Sequence, residues 1–143
     1  MSKFIVPDAY GSTGAGENND CSVRALSNVT GISYQEAHDK MKVAGRIDRK
    51  TCPNRIWEKV YAESGLVLEA VFGSTNTARN KSLYNPGVRQ CRGVSIGKLI
   101  PRLDPSRSYA IHVRGHVFAV KNGKVLDSHP QRAGTRVVAL YSI

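Results

Sequence analysis

The stretch SYAIHVRGHVFAVKNGKVLDS, residues 108–128, decides the fold. Its apolar residues sit in short β-branched and aromatic runs, and Asn122-Gly123 between two such runs is the strongest short signal for a two-residue hairpin. With Asn122 and Gly123 as the loop, Lys121 pairs with Lys124 and Phe118 faces Asp127. His116 lies two residues before Phe118. Strand alternation puts it on the same face, diagonal to Asp127. An imidazole within reach of a carboxylate is the relation between a general base and the acid that fixes its tautomer. A slip of one residue in register would destroy it.

Working outward, TRVVALYSI at 135–143 reads as a further strand, as does LVLEAVF at 66–72. Between them, residues 73–91 are rich in Ser, Asn, Arg and Gly and read as a long loop. Ser95 is placed to cap a helix, IGKLIPRL, that Pro101 ends or kinks. The first half is helical in pattern. Cys21 to Asn28 spaces Val23 and Leu26 three apart behind Asp20, an N-cap residue type, and Gly31 closes that helix. Ser33 opens SYQE, a capping box leading a second helix to about Val43 with Tyr34, Ala37 and Met41 on one face. A third is expected from Pro53 to about Glu63, capped by Thr51, with Ile56, Trp57, Val60 and Tyr61 inward. Helices first and an antiparallel sheet afterwards argue for an α+β domain.

The chain of 143 residues suits one domain. Residues 1–17, with Gly11, Gly14 and Gly16 among Ser and Thr, read as a flexible lead-in, and residues 18–143 as the domain. No stretch has the roughly 20 apolar residues of a membrane span, and MSKFIVPDAYG lacks the layout of a secretory signal, so a cytoplasmic protein without a membrane partner is expected. The three cysteines, Cys21, Cys52 and Cys91, are odd in number and widely spaced, which argues for free thiols. Lys and Arg outnumber Asp and Glu by 21 to 11. A formal charge of +10 favours polyanionic partners, whether nucleic acid or an acidic protein, and carries no base specificity.

Cys21 is the candidate nucleophile. A helix N-terminus carries partial positive charge and free amides, which favour a thiolate and can hold a developing oxyanion. His116 is the base, Asp127 its orienting acid, and Asn18 and Asn19 are candidate oxyanion donors just before Cys21. His129, opposite His116 in the hairpin, is placed at the rim of the cleft. A zinc site built on His112, His116 and His129 is a rival. Arg114-Gly115 interrupts the strand through the first two, however, and neither Cys-x-x-Cys nor His-Glu-x-x-His occurs. No metal or cofactor is expected. Cys52 and Cys91 read as structural thiols, and Trp57 and Tyr61 as core.

The segment NNDCSVRAL, residues 18–26, resembles the nucleophile segment of ovarian-tumour-type deubiquitinases, keeping the Cys-x-x-Arg-Ala-Leu frame in Cys21, Arg24, Ala25 and Leu26. From residue 18 onward, with the late strands that carry His116 and Asp127, the chain looks like small papain-like proteins of phages and bacteria. It is also similar to bacteriocin-processing peptidase domains. The resemblance implies a papain-like cysteine peptidase fold, with an N-terminal nucleophile helix packed on a C-terminal antiparallel sheet. It also implies a Cys21–His116–Asp127 triad acting as peptidase or isopeptidase on a protein or peptide substrate, in the host cytoplasm if phage-encoded. The chain departs from the pattern just before the nucleophile. Asn18 stands where the deubiquitinases have Asp, and no Gln precedes Cys21. The oxyanion hole must then be built otherwise, and a papain-like scaffold serving as a basic binding factor is the alternative.

Overall fold

The computed structural model describes residues 4–5, 19–73, 88–127 and 131–143. Three helices come first: α1 Cys21–Thr30, α2 Tyr34–Ala44 and α3 Asn54–Glu63. A short α4, Ile96–Leu99, runs into a 3₁₀ turn, Ile100–Arg102, so Pro101 converts the helix to the tighter form. The strands are β1 Phe4–Ile5, β2 Val67–Phe72, β3 Arg89–Cys91, β4 Ser108–Val113, β5 His116–Lys121, β6 Lys124–Leu126 and β7 Val137–Ser142. They form one sheet in the order β1-β6-β5-β4-β7-β2-β3. The domain is α+β, as its sequence order implies.

The hairpin has the register expected of Asn122-Gly123. Both loop residues hold positive φ, and Lys121 pairs with Lys124, Val120 with Val125 and Ala119 with Leu126. Central pairings are antiparallel, but both edges are not: β1 runs parallel to β6, and β3 parallel to β2. Two expectations are thereby corrected. Phe4–Ile5 lies inside the segment read as a flexible lead-in, yet it pairs with Val125 and Leu126. Arg89–Cys91 closes the segment read as loop, yet it adds an edge strand. Composition misled in both places because a two- or three-residue edge strand takes its stability from the neighbour's backbone groups, and its own side chains need no pattern.

Alternation along the central strands separates two cores. Ala110, Val117, Ala119, Ala139 and Tyr141 face the helices α1–α3, where Val23, Leu26, Met41, Trp57 and Tyr61 are buried. Ile111, Phe118, Val120 and Leu140 face the other way, against Val94, Ile96, Leu99 and Ile100. The sheet is therefore covered on both sides, each buried large side chain contributing about 1.5–3 kcal/mol. Helix α1 lies across β5 and β4 and brings its N-terminus toward the start of β5.

The helix ends differ in detail from their sequence signals. Ser33 caps α2 by accepting from the Glu36 amide at 3.1 Å. Asp20 holds the N-cap position of α1, but its side chain makes no cap bond. At α3 the N-cap is Pro53 and not Thr51, and Ser95 precedes α4 without a side-chain cap bond. No helix among the described residues is long and apolar enough to cross a membrane.

Candidate active site

Cys21 begins α1, and the residue before it is held on three sides. The Asp20 carboxylate accepts from Arg24 Nε at 2.8 Å and from the Tyr34 hydroxyl at 2.7 Å through the same oxygen, while its backbone carbonyl accepts the Arg24 amide. This explains the missing cap bond: the carboxylate is turned into a buried ion pair. Tyr61 of α3 adds a second anchor by donating its hydroxyl to the Ser22 carbonyl at 2.8 Å. The first turn of α1 is thus pinned from α2 and α3. Of the Cys-x-x-Arg-Ala-Leu frame, Arg24 clamps Asp20 while Ala25 and Leu26 are core. The opening amides of α1 have no intrahelical acceptor, and no side-chain cap engages them.

His116 opens β5 directly after Gly115, whose φ of 74° turns the chain from β4. Its Nε2 lies 2.6 Å from Asp127 Oδ2. The diagonal relation counted from the hairpin is the relation found, and the His116 ring also stacks on Phe118 at 6.0 Å, as shared facing requires. Asp127 is buried, and the same Oδ2 accepts from Gln131 Nε2 at 2.9 Å. Cys21 lines the same cleft as His116, and its side chain adds to the upward pull on the His116 pKa. Cys21 and His116 thus share one cleft, with Asp127 bonded to His116 behind it.

The electrostatics follow from the same partners. Burial alone pulls the His116 pKa down. The Asp127 hydrogen bond, then the Cys21 side chain and the charges of both groups, outweigh burial and raise it from 6.5 to about 10. The ring is an imidazolium at neutral pH.

Cys21 and His116 face a narrow cleft of about 50 Å³, walled by Cys52, Asn54, Trp57 and His112. Trp57 donates Nε1–H to Asn54 Oδ1 at 2.9 Å and meets His112 edge-on with ring centroids 5.0 Å apart. Several of these residues were not legible as site residues. Trp57 is core as read, but one edge reaches the cleft. Cys52, read as a structural thiol, is a cleft neighbour of Cys21. Burial pushes its thiol up, with Arg46 opposing. Gln131 carried no signal at all, because what matters is its position against Asp127 in space.

The oxyanion candidates fare differently. Asn19, at a left-handed φ of 54°, is exposed and donates its amide to the Arg49 carbonyl at 3.2 Å, and it is not among the residues walling the cleft. Its side-chain amide is thus engaged in anchoring the loop to Arg49. Asn18 and His129 lie outside the described residues. Among the described residues no group of three His, Cys, Asp or Glu is arranged to hold a metal ion.

No protein-family model matches the chain, and no curated protein and no solved structure matches it. The site stands on its own geometry.

Proposed function

We propose that this protein is a cysteine hydrolase of papain-like type, cleaving a peptide or isopeptide bond with Cys21 as nucleophile, His116 as acid–base and Asp127 as the orienting acid. The observation that carries this function is that Cys21, at a helix start, shares one cleft with His116 of a strand far away in sequence, and His116 is bonded to Asp127 at 2.6 Å. A nucleophile at a helix N-terminus, with base and acid on adjoining antiparallel strands, is the layout that the resemblance of residues 18–26 implies. The cleft is also too small to enclose a drug-sized molecule, which needs about 300–1,000 Å³, so an extended chain lying across it is the better fit.

In the reaction, Cys21 thiolate adds to the carbonyl carbon and its oxygen becomes an oxyanion, held by the opening amides of α1, that of Cys21 among them. As the C–N bond breaks, imidazolium His116 gives its proton to the leaving nitrogen. Neutral His116 then takes a proton from water, which attacks the thioester, releases the acid and restores thiolate and imidazolium. Asp127 keeps the ring in register.

The test is alkylation of the native protein by iodoacetamide at neutral pH, followed by peptide mapping. It is run beside turnover of peptide and isopeptide substrate panels. Cys21 is expected to react roughly ten times faster than Cys91, in keeping with its place beside His116. That preference should disappear in His116→Ala. Equal rates for Cys21 in wild type and His116→Ala would sink the proposal.

A further inference from the structure

The positive charge is unevenly divided between the two faces of the sheet. Residues 19–66, the helical layer, hold eight basic and six acidic side chains. Several of these pair: Arg24 with Asp20 at 2.8 Å, Lys42 with Asp48 at 3.3 Å and Lys59 with Glu63 at 3.9 Å. The described residues covering the opposite face, 88–107 and 131–136, hold seven basic side chains, Arg89, Arg92, Lys98, Arg102, Arg107, Arg132 and Arg136, against one acid, Asp104. All seven are exposed. Of these, only Arg107 has an ion-pair partner among the described residues, Glu69 at 3.2 Å. Asp104 is occupied locally, accepting from the amide and hydroxyl of Ser106.

Arg89 belongs to edge strand β3, whereas backbone pairing brings Arg92, Lys98, Arg132 and Arg136 near one another. The Val137 amide donates to Val94, Ile96 to Thr135, and Gly97 to Ala133, each at 2.9 Å, so residues 94–97 and 133–137 run side by side. Arg92 and Lys98 bracket the first segment, Arg132 precedes the second, and Arg136 lies within it. Arg102 follows one turn beyond Lys98. Ile96, Leu99 and Ile100 are buried beneath them against the sheet. The large exposed apolar side chains, Val43, Ile47, Val67 and Ile143, all lie outside these segments. A protein partner is normally anchored by apolar or aromatic hot spots, whereas phosphates need only a spread of cations. Arginine, which predominates here, presents a planar fork suited to phosphate oxygens.

We propose that this layer is a binding face for the phosphate backbone of nucleic acid, with Arg92, Lys98, Arg102, Arg132 and Arg136 as its cations. It binds without base specificity and does not use the Cys21 thiol.

The experiment is fluorescence anisotropy of the full chain with labelled duplex DNA and single-stranded RNA, titrated from about 50 to 200 mM salt. Log affinity should fall against log salt with a slope of about −4 to −5 on duplex DNA, as five neutralised phosphates require. Combining Arg92→Ala, Lys98→Ala, Arg102→Ala and Arg136→Ala should flatten that slope by about 3 to 4. Removing Lys40, Lys42, Lys50 and Lys59 together should change it by less than about 1. Each change is on an exposed side chain, and circular dichroism checks that each variant is folded. Equal loss from the two sets would overturn the assignment of the face, and a salt-independent affinity would overturn phosphate binding. Polyglutamate binding as tightly as DNA would give the face to an acidic protein instead. Cys21→Ala is expected to bind as wild type does, so failure of the thiol chemistry and failure of this face are separable; loss of binding in that variant would overturn the independence claimed.

Discussion

Replacing Asp127 by Asn removes a charge while keeping the side chain's shape. In the wild type, His116 Nε2 sits 2.6 Å from the Asp127 carboxylate, and that contact is the largest influence raising the imidazole pKa against burial. A hydrogen bond to a charged group is worth about 1.5–3 kcal/mol, and each pH unit corresponds to about 1.4 kcal/mol. The His116 midpoint should therefore fall from about 10 by about 1 to 2 pH units. Imidazole proton shifts followed by NMR across pH 5 to 11 give the midpoint directly, with His116→Gln used to assign the signal. Gln131→Ala is the companion variant: it leaves the charge but removes the Gln131 donor on Asp127 Oδ2, and it should move the midpoint by less. A wild-type midpoint near the ordinary 6.5, or no change in Asp127→Asn, would refute the electrostatic account of the site.

Three further outcomes follow from the same structure. Because the folded His116 pKa lies above its unfolded value, the folded state binds more protons between pH 6.5 and about 10. Its contribution is full below that window and is lost as pH rises through it, so urea midpoints of wild type should drop more steeply there than those of His116→Gln. Tyr34→Phe removes the hydroxyl on the buried Asp20 carboxylate at 2.7 Å and should cost about 2 kcal/mol in chemical denaturation, with slower Cys21 alkylation as the first turn of α1 loosens. Gly97→Ala would put its methyl 2.9 Å from the Ala133 side chain and 3.0 Å from the Ala133 carbonyl, where backbone must yield. The resulting loss should be about 1–3 kcal/mol by thermal melting, whereas Gly134→Ala, with open space around it, should not share that steric cost.

Much of the site was legible where one local rule sets the geometry. Asn122-Gly123 admits one tight hairpin, and its register makes His116 and Asp127 neighbours before any tertiary contact is known. Cys21 was legible as a helix start because the apolar spacing of Val23 and Leu26 begins behind Asp20. The α+β class followed from the order of the periods, 3.6 first and 2 afterwards. Other features were illegible for a physical reason: their role depends on what approaches from elsewhere. Asp20 is a capping residue by type, yet Tyr34 and Arg24 draw its carboxylate away from the amides. Asn19 is a donor by type, yet the Arg49 carbonyl holds it.

The sequence by itself determined the central strands, the hairpin register and hence the His116–Asp127 pair, because side-chain alternation and turn chemistry act over a few residues. Only the tertiary structure decided that Cys21 shares a cleft with His116, that Cys52 and Trp57 wall the same cleft, and that Gln131 braces Asp127. Those contacts depend on how α1 and α3 lie across the sheet. That packing is set by the summed burial of two cores, in which no single residue or spacing carries the instruction.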